Sequence, residues 1–132
     1  MPTVSVWLVR ASLVHLALGA TLGAALLTGK VAEVPAWIWV LRPLHVEILL
    51  FGFVIQLAFG VAWWILPRTP ERKPTRLPWV AGVLLNAGLW VVGLVPFAGW
   101  PGEVFLLGRV VQAVALVVFA RSVWPRIREF RG

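Results

Sequence analysis

The chain has 132 residues, a net charge of +7, nine tryptophans, no cysteine and no tyrosine. Only 13% of its residues are charged and 61% are apolar, where a soluble domain is about one-quarter charged, so this composition calls for a bilayer as solvent. Without cysteine there is no disulfide, no thiolate metal site and no covalent c-type haem attachment, and without tyrosine there is no phenol chemistry.

Four apolar runs follow in chain order. The first, residues 4–27, is long enough to span a membrane. It lacks the short apolar core and clean cleavage site of a secretory signal peptide, so it reads as an uncleaved signal anchor. Residues 28–34 make a short polar turn, and Pro35 opens the second helix, because a first-turn proline loses no needed hydrogen bond. That helix covers residues 36–66, with its continuous apolar span from about Leu44 to Leu66, and Pro43 within it predicts a kink. Residues 67–78 form a charged, proline-rich loop that can neither be helical nor lie in lipid. The third helix takes residues 79–95, a tight turn runs from Pro96 to Gly102, and the fourth helix takes residues 103–124. Pro125 and Arg126 mark its exit.

The loop after the second helix carries four Lys/Arg, the tail from Arg121 carries four, and the turn between the third and fourth helices carries none. The positive-inside rule then puts both termini in the cytoplasm. The expected architecture is an all-α, integral membrane four-helix bundle in the inner (cytoplasmic) membrane. The basic charge flanks apolar runs, and no stripe or reading motif accompanies it, so nucleic acid is not an expected partner. Eight of the tryptophans (Trp7, Trp37, Trp39, Trp63, Trp64, Trp79, Trp100 and Trp124) fall near run ends, where indoles favour the interface. Trp90 sits deeper.

Polar groups inside a bilayer are expensive, so each is a functional candidate. The set is His15, His45, Glu47, Gln56, Asn86, Arg109 and Gln112. His45 opens the apolar span of the second helix, and Leu49, Gly52, Gln56 and Gly60 fall on or near its face. Glycines below a histidine leave a flat hollow of the kind a planar macrocycle needs, and an imidazole is the usual axial ligand of b-type haem. The plainer alternative is an interfacial histidine with glycines for close helix packing. His15 lies mid-membrane with Gly19 and Gly23 on its face, a packing stripe with the imidazole hydrogen-bonded to a neighbour such as Asn86 or Gln112. The rise per residue sets the two histidines about 10–15 Å apart in depth, so one chain is not expected to pair them on one haem. Glu47 lies about 200° around the helix from His45, which disfavours chelation of one ion. Arg42, at the outer interface, suits either a haem propionate or a snorkelling anchor. Arg109 either pairs with Glu103 or snorkels outward.

The run Leu41-Arg42-Pro43-Leu44-His45, followed by Phe51 and Phe53 and then Pro67-Arg68-Thr69, resembles the second transmembrane helix of the catalytic subunit of haem-copper oxidases, most closely the cbb-type (C-family). Ser12-Leu13, Leu18-Gly19 and Leu22-Gly23-Ala24 are more loosely similar to the first helix of that subunit. The resemblance covers roughly residues 8–70. It implies that His45 is an axial ligand of a low-spin haem b and that Arg42 lies near the propionates. The chain departs from the family in having four helices where those subunits have about twelve. It also lacks their late-helix second ligand, their copper-site histidines and their tyrosine, so oxygen reduction, and with it an enzyme assignment, is not implied.

The leading expectation is a small haem b-binding protein with His45, Arg42, Gly52 and His15 as cofactor-site candidates. It would act in electron transfer, haem handling or gas binding near respiratory-chain proteins as a homo-oligomer, with the missing ligand being His45 of a second copy, His15, or an open site for a gas. Two alternatives stand beside it. One is a cofactor-free structural or assembly subunit whose Gly19/Gly23 and Gly52/Gly60 stripes meet partner helices. The other is a copper or zinc site built from His45 and Glu47 of several copies.

Overall fold

The computed structural model describes residues 1–67 and 75–128. Most of the charged, proline-rich loop and the end of the basic tail, including Arg131, lie outside the described residues. All regular structure among the described residues is helical. Four helices are long and apolar enough to cross a membrane: α1 (Thr3–Thr28), α2 (Ala36–Ile65), α3 (Leu77–Ala98) and α4 (Gly102–Arg128). Large apolar side chains such as Val14, Val83, Leu106 and Val117 point outward. That outward-facing surface would aggregate in water and is at home in lipid, so the chain is a multi-pass membrane protein.

The sequence boundaries hold to within a few residues, and the differences have physical causes. Pro96 does not end α3, which runs on to Ala98 and closes on Gly99 in the left-handed conformation, φ 63°. Pro125 likewise lies inside α4. A proline removes one hydrogen bond and crowds the carbonyl four residues back, a smaller loss near a helix end and one that membrane helices tolerate. The second helix departs from regularity more than its proline suggested. It begins as a 3-10 turn (Ala36–Val40), becomes α-helical at Leu41–Glu47, widens to π-helix over Ile48–Ile55 and returns to α-helix at Gln56–Ile65. Such π segments are uncommon and recur at functional positions.

Helices α1 and α2 form one antiparallel hairpin, and α3 and α4 form another. In α3–α4 the approach is close enough that a Cβ on Gly88 would stand 2.8 Å from the Gly108 carbonyl oxygen. The apolar core lies toward the end of the bundle that holds the termini. Val4, Leu8, Phe59, Trp63, Leu85 and Phe119 pack there, with the Phe59 and Phe119 rings stacked at 3.8 Å. Trp63 is buried in the core at that end of α2. It is capped by Arg126, whose Cζ stands 3.3 Å from the ring centroid. His45 and the Glu47, Arg109 and Gln112 side chains sit toward the opposite end, where the short α1–α2 and α3–α4 turns lie.

Candidate functional site

His45 projects from α2 across the face of α1. Its Nδ1 lies 2.8 Å from the Gly19 carbonyl oxygen. A carbonyl only accepts, so Nδ1 carries the proton, and in the neutral ring Nε2 keeps its lone pair. The ring lies so close over Gly23 that a Cβ there would stand 2.7 Å from its Cε1. Beside it opens a cleft of about 350 Å³ lined by Gly23, Leu26, Leu27, Lys30, Trp39, Arg42, His45 and Val46. His45 and Arg42 therefore share one cavity. Lys30 and Trp39 join them there, and the sequence reading had not placed either at the site.

Gly52 and His15 lie elsewhere. The face of α2 that carries His45, Leu49, Gly52, Gln56 and Gly60 is the one the sequence indicated, but α1 fills it. His15 occupies the place where Gly52 was expected to leave a hollow: a Cβ at Gly52 would meet its Cγ at 2.7 Å. Gly19 receives Leu49 and Gly60 receives Val9 in the same register. The two hairpin helices thus each seat a histidine on the other's glycine. His15 rests on Gly52 and His45 on Gly23, seven to eight residues apart along each helix. That is a depth difference of about 11 Å, which keeps the two imidazoles from a shared ring as the sequence count expected. Gly52→Ala should push the His15 ring and cost about 1–3 kcal/mol as an overpacked contact. Thermal unfolding of the purified variant in detergent measures this.

The partners expected for His15 also differ. Asn86 donates to the Gln56 side-chain oxygen at 2.9 Å and to the Gly82 carbonyl at 2.8 Å, and Gln56 reaches toward the Leu8 carbonyl at 3.4 Å. His15 is 6% exposed, beside Trp90 at 6.1 Å between ring centroids. Its Nδ1 makes no well-formed hydrogen bond. The backbone acceptor nearest in register is the Ala11 carbonyl one turn back.

Glu47 takes the opposite side of α2. It is 3% exposed, and both carboxylate oxygens are engaged from α4. Arg109 donates to Oε1 at 2.5 Å and Gln112 to Oε2 at 3.0 Å. Arg109 also donates to the Gln112 side-chain oxygen at 2.9 Å, closing a ring of three hydrogen bonds. Its guanidinium lies 5.5 Å from the Phe51 ring centroid and 5.1 Å from that of Phe105, a favourable place for a cation. This ties the two hairpins together and corrects the Glu103 pairing. Residues 103 and 109 are six apart, about 240° around one helix, so their side chains diverge. The signal that was available is that intramembrane charges of opposite sign seek each other, and Glu47 is the only acidic residue inside an apolar span. It also turns Glu47 away from His45. Among the described residues no cluster of three or more His, Cys, Asp or Glu forms a metal site.

No family model matches the chain, and comparisons with curated proteins and with solved structures find no match.

Proposed function

We propose that the chain is a small membrane haem b-binding protein, acting in electron transfer, haem handling or gas binding beside a respiratory chain. The observation that carries this reading is the His45–Gly19 hydrogen bond. Ligating histidines commonly donate their second ring N–H to a carbonyl, which fixes the tautomer and sharpens the lone pair of the other nitrogen. Here that leaves Nε2 for a cleft that also holds Arg42. The likeness of Leu41–His45 to the low-spin haem helix of haem-copper oxidases supports the same assignment.

The residues fit the group at His45 and Arg42. They do not fit it at Gly52 or His15, which pack against each other. When bound, haem supplies a one-electron centre or a gas-binding iron. The chain's own part is to hold and orient it. His45 would offer Nε2, the Gly19 carbonyl fixes the ring, and Arg42, which lines the same cleft, would hold a carboxylate. The Glu47–Arg109–Gln112 ring on the far side of α2 keeps that helix turned so that His45 meets α1. A two-fold dimer would bring His45 of a second copy to equal depth, where both imidazoles could hold one group. On the positive-inside expectation the site lies at the outer face of the inner membrane, with both termini in the cytoplasm.

The alternatives lose their stated footing. The Gly19/Gly23 and Gly52/Gly60 stripes are used inside the chain, so they offer no face to partner helices. Glu47 is sealed and doubly hydrogen-bonded, so it is not free to share a copper or zinc ion with His45 of another copy. The test is haem content after purification from haem-replete cells. Wild type should carry haem and His15→Ala should keep it, even where the variant melts earlier. Haem loss from a folded His15→Ala protein would move the site back to the α1–α2 interior.

A further inference from the structure

The turn after α1 places a second cation at the cleft. The Lys30 backbone N–H donates to the Leu27 carbonyl at 3.0 Å, which ties Lys30 to the last turn of α1, where a positive charge is favoured by the helix dipole. Lys30 lines the same cleft as Arg42 and His45. Among the described residues neither Lys30 nor Arg42 has an ion-pair partner; the ion pair found there is Arg109–Glu47. Trp39 closes one edge and is held in place, because its indole packs on the turn at Gly29, where a Cβ would stand 2.9 Å from the ring. Two unpaired cations thus sit at the water end of an apolar cleft, beside an imidazole with a free nitrogen. By the positive-inside expectation this is also the side of the membrane that ordinarily sheds such charge.

We infer that Lys30 and Arg42 form a two-cation clamp that selects an amphiphile carrying two carboxylates, with Lys30 as the second carboxylate contact. This rests on the haem reading above. It adds that the clamp, and not the His45 nitrogen alone, decides which flat apolar ligand is retained. The same cations would also suit the phosphate of an anionic lipid headgroup, and the test separates the two sources.

The experiment titrates full-length protein in phosphatidylcholine nanodiscs with haem and with haem dimethyl ester, reading the Soret band and tryptophan quenching. Wild type should bind haem at least about tenfold more tightly than the ester. Lys30→Met and Arg42→Met should each weaken haem binding by about tenfold and leave ester binding unchanged. Circular dichroism confirms the fold of these variants, whose altered side chains are exposed. Equal binding of haem and ester by wild type, or haem binding by Lys30→Met at the wild-type level, overturns the clamp while leaving the haem site standing. Binding of neither compound overturns the haem reading and the clamp with it. Loss of the haem-over-ester preference in phosphatidylglycerol nanodiscs, with Lys30→Met insensitive to that lipid, assigns the cations to lipid phosphate and overturns the clamp.

Discussion

His45→Ala is expected to remove essentially all haem from the purified protein while leaving its helical content intact. The imidazole makes one hydrogen bond, to the Gly19 carbonyl, and its ring packs over Gly23 toward the turn end of the α1–α2 hairpin. Its loss leaves the buried Gly19 carbonyl with its place in the α1 hydrogen-bond ladder. The stability cost should therefore stay near that of a single hydrogen bond, about 1 kcal/mol. The ligand cost has no such limit, because His15 is packed against Gly52 and lies about two turns deeper. No other histidine exists in the chain. Pyridine haemochrome assay against protein concentration measures the effect. A folded His45→Ala protein with the haem content of wild type would remove His45 from the site.

The largest expected effect on stability is at Glu47. Replacing it with alanine leaves Arg109 and Gln112 without their acceptor inside the bundle. Breaking one partner of a buried ion pair typically costs about 3–5 kcal/mol. Arg109 retains 38% side-chain exposure and can swing outward toward the headgroups, so the lower part of that range is expected. Glu47→Gln keeps a hydrogen-bonding oxygen and should fall between. Denaturant unfolding in mixed micelles gives the three values. Their order, wild type above Glu47→Gln above Glu47→Ala, is the expected result. Equal stability of all three would mean that the hairpins dock without the ring. The Glu47→Ala/Arg109→Leu pair should recover part of the loss, since it leaves no lone charge in the bundle.

The helices were legible in the sequence because length and hydropathy determine them. Pro35 precedes the second helix as expected, whereas the turn expected from Pro96 opens only at Gly99. The depth offset of His15 and His45 was legible too, since it needs only the rise per residue. What the sequence did not reveal is what fills each face. The glycine face below His45 was placed correctly, yet whether a ligand or a neighbouring side chain lies on Gly52 depends on α1 docking, and no pattern in α2 encodes that. For Arg109 the sequence offered either Glu103 or an outward snorkel, whereas its partner lies 62 positions away on another helix. Lys30 read as ordinary turn polarity until the hairpin placed it beside Arg42. The π segment over Ile48–Ile55 has no signature that would have placed it.

The most direct test of the central claim is the visible spectrum of the wild-type protein, oxidised and dithionite-reduced, after purification in detergent from cells supplied with haem. A Soret band is predicted. Sharp reduced α and β bands would mean a six-coordinate haem, and a broad band that shifts with carbon monoxide would mean a five-coordinate haem on His45 with its sixth position open. A colourless protein with its full helical content would contradict the account.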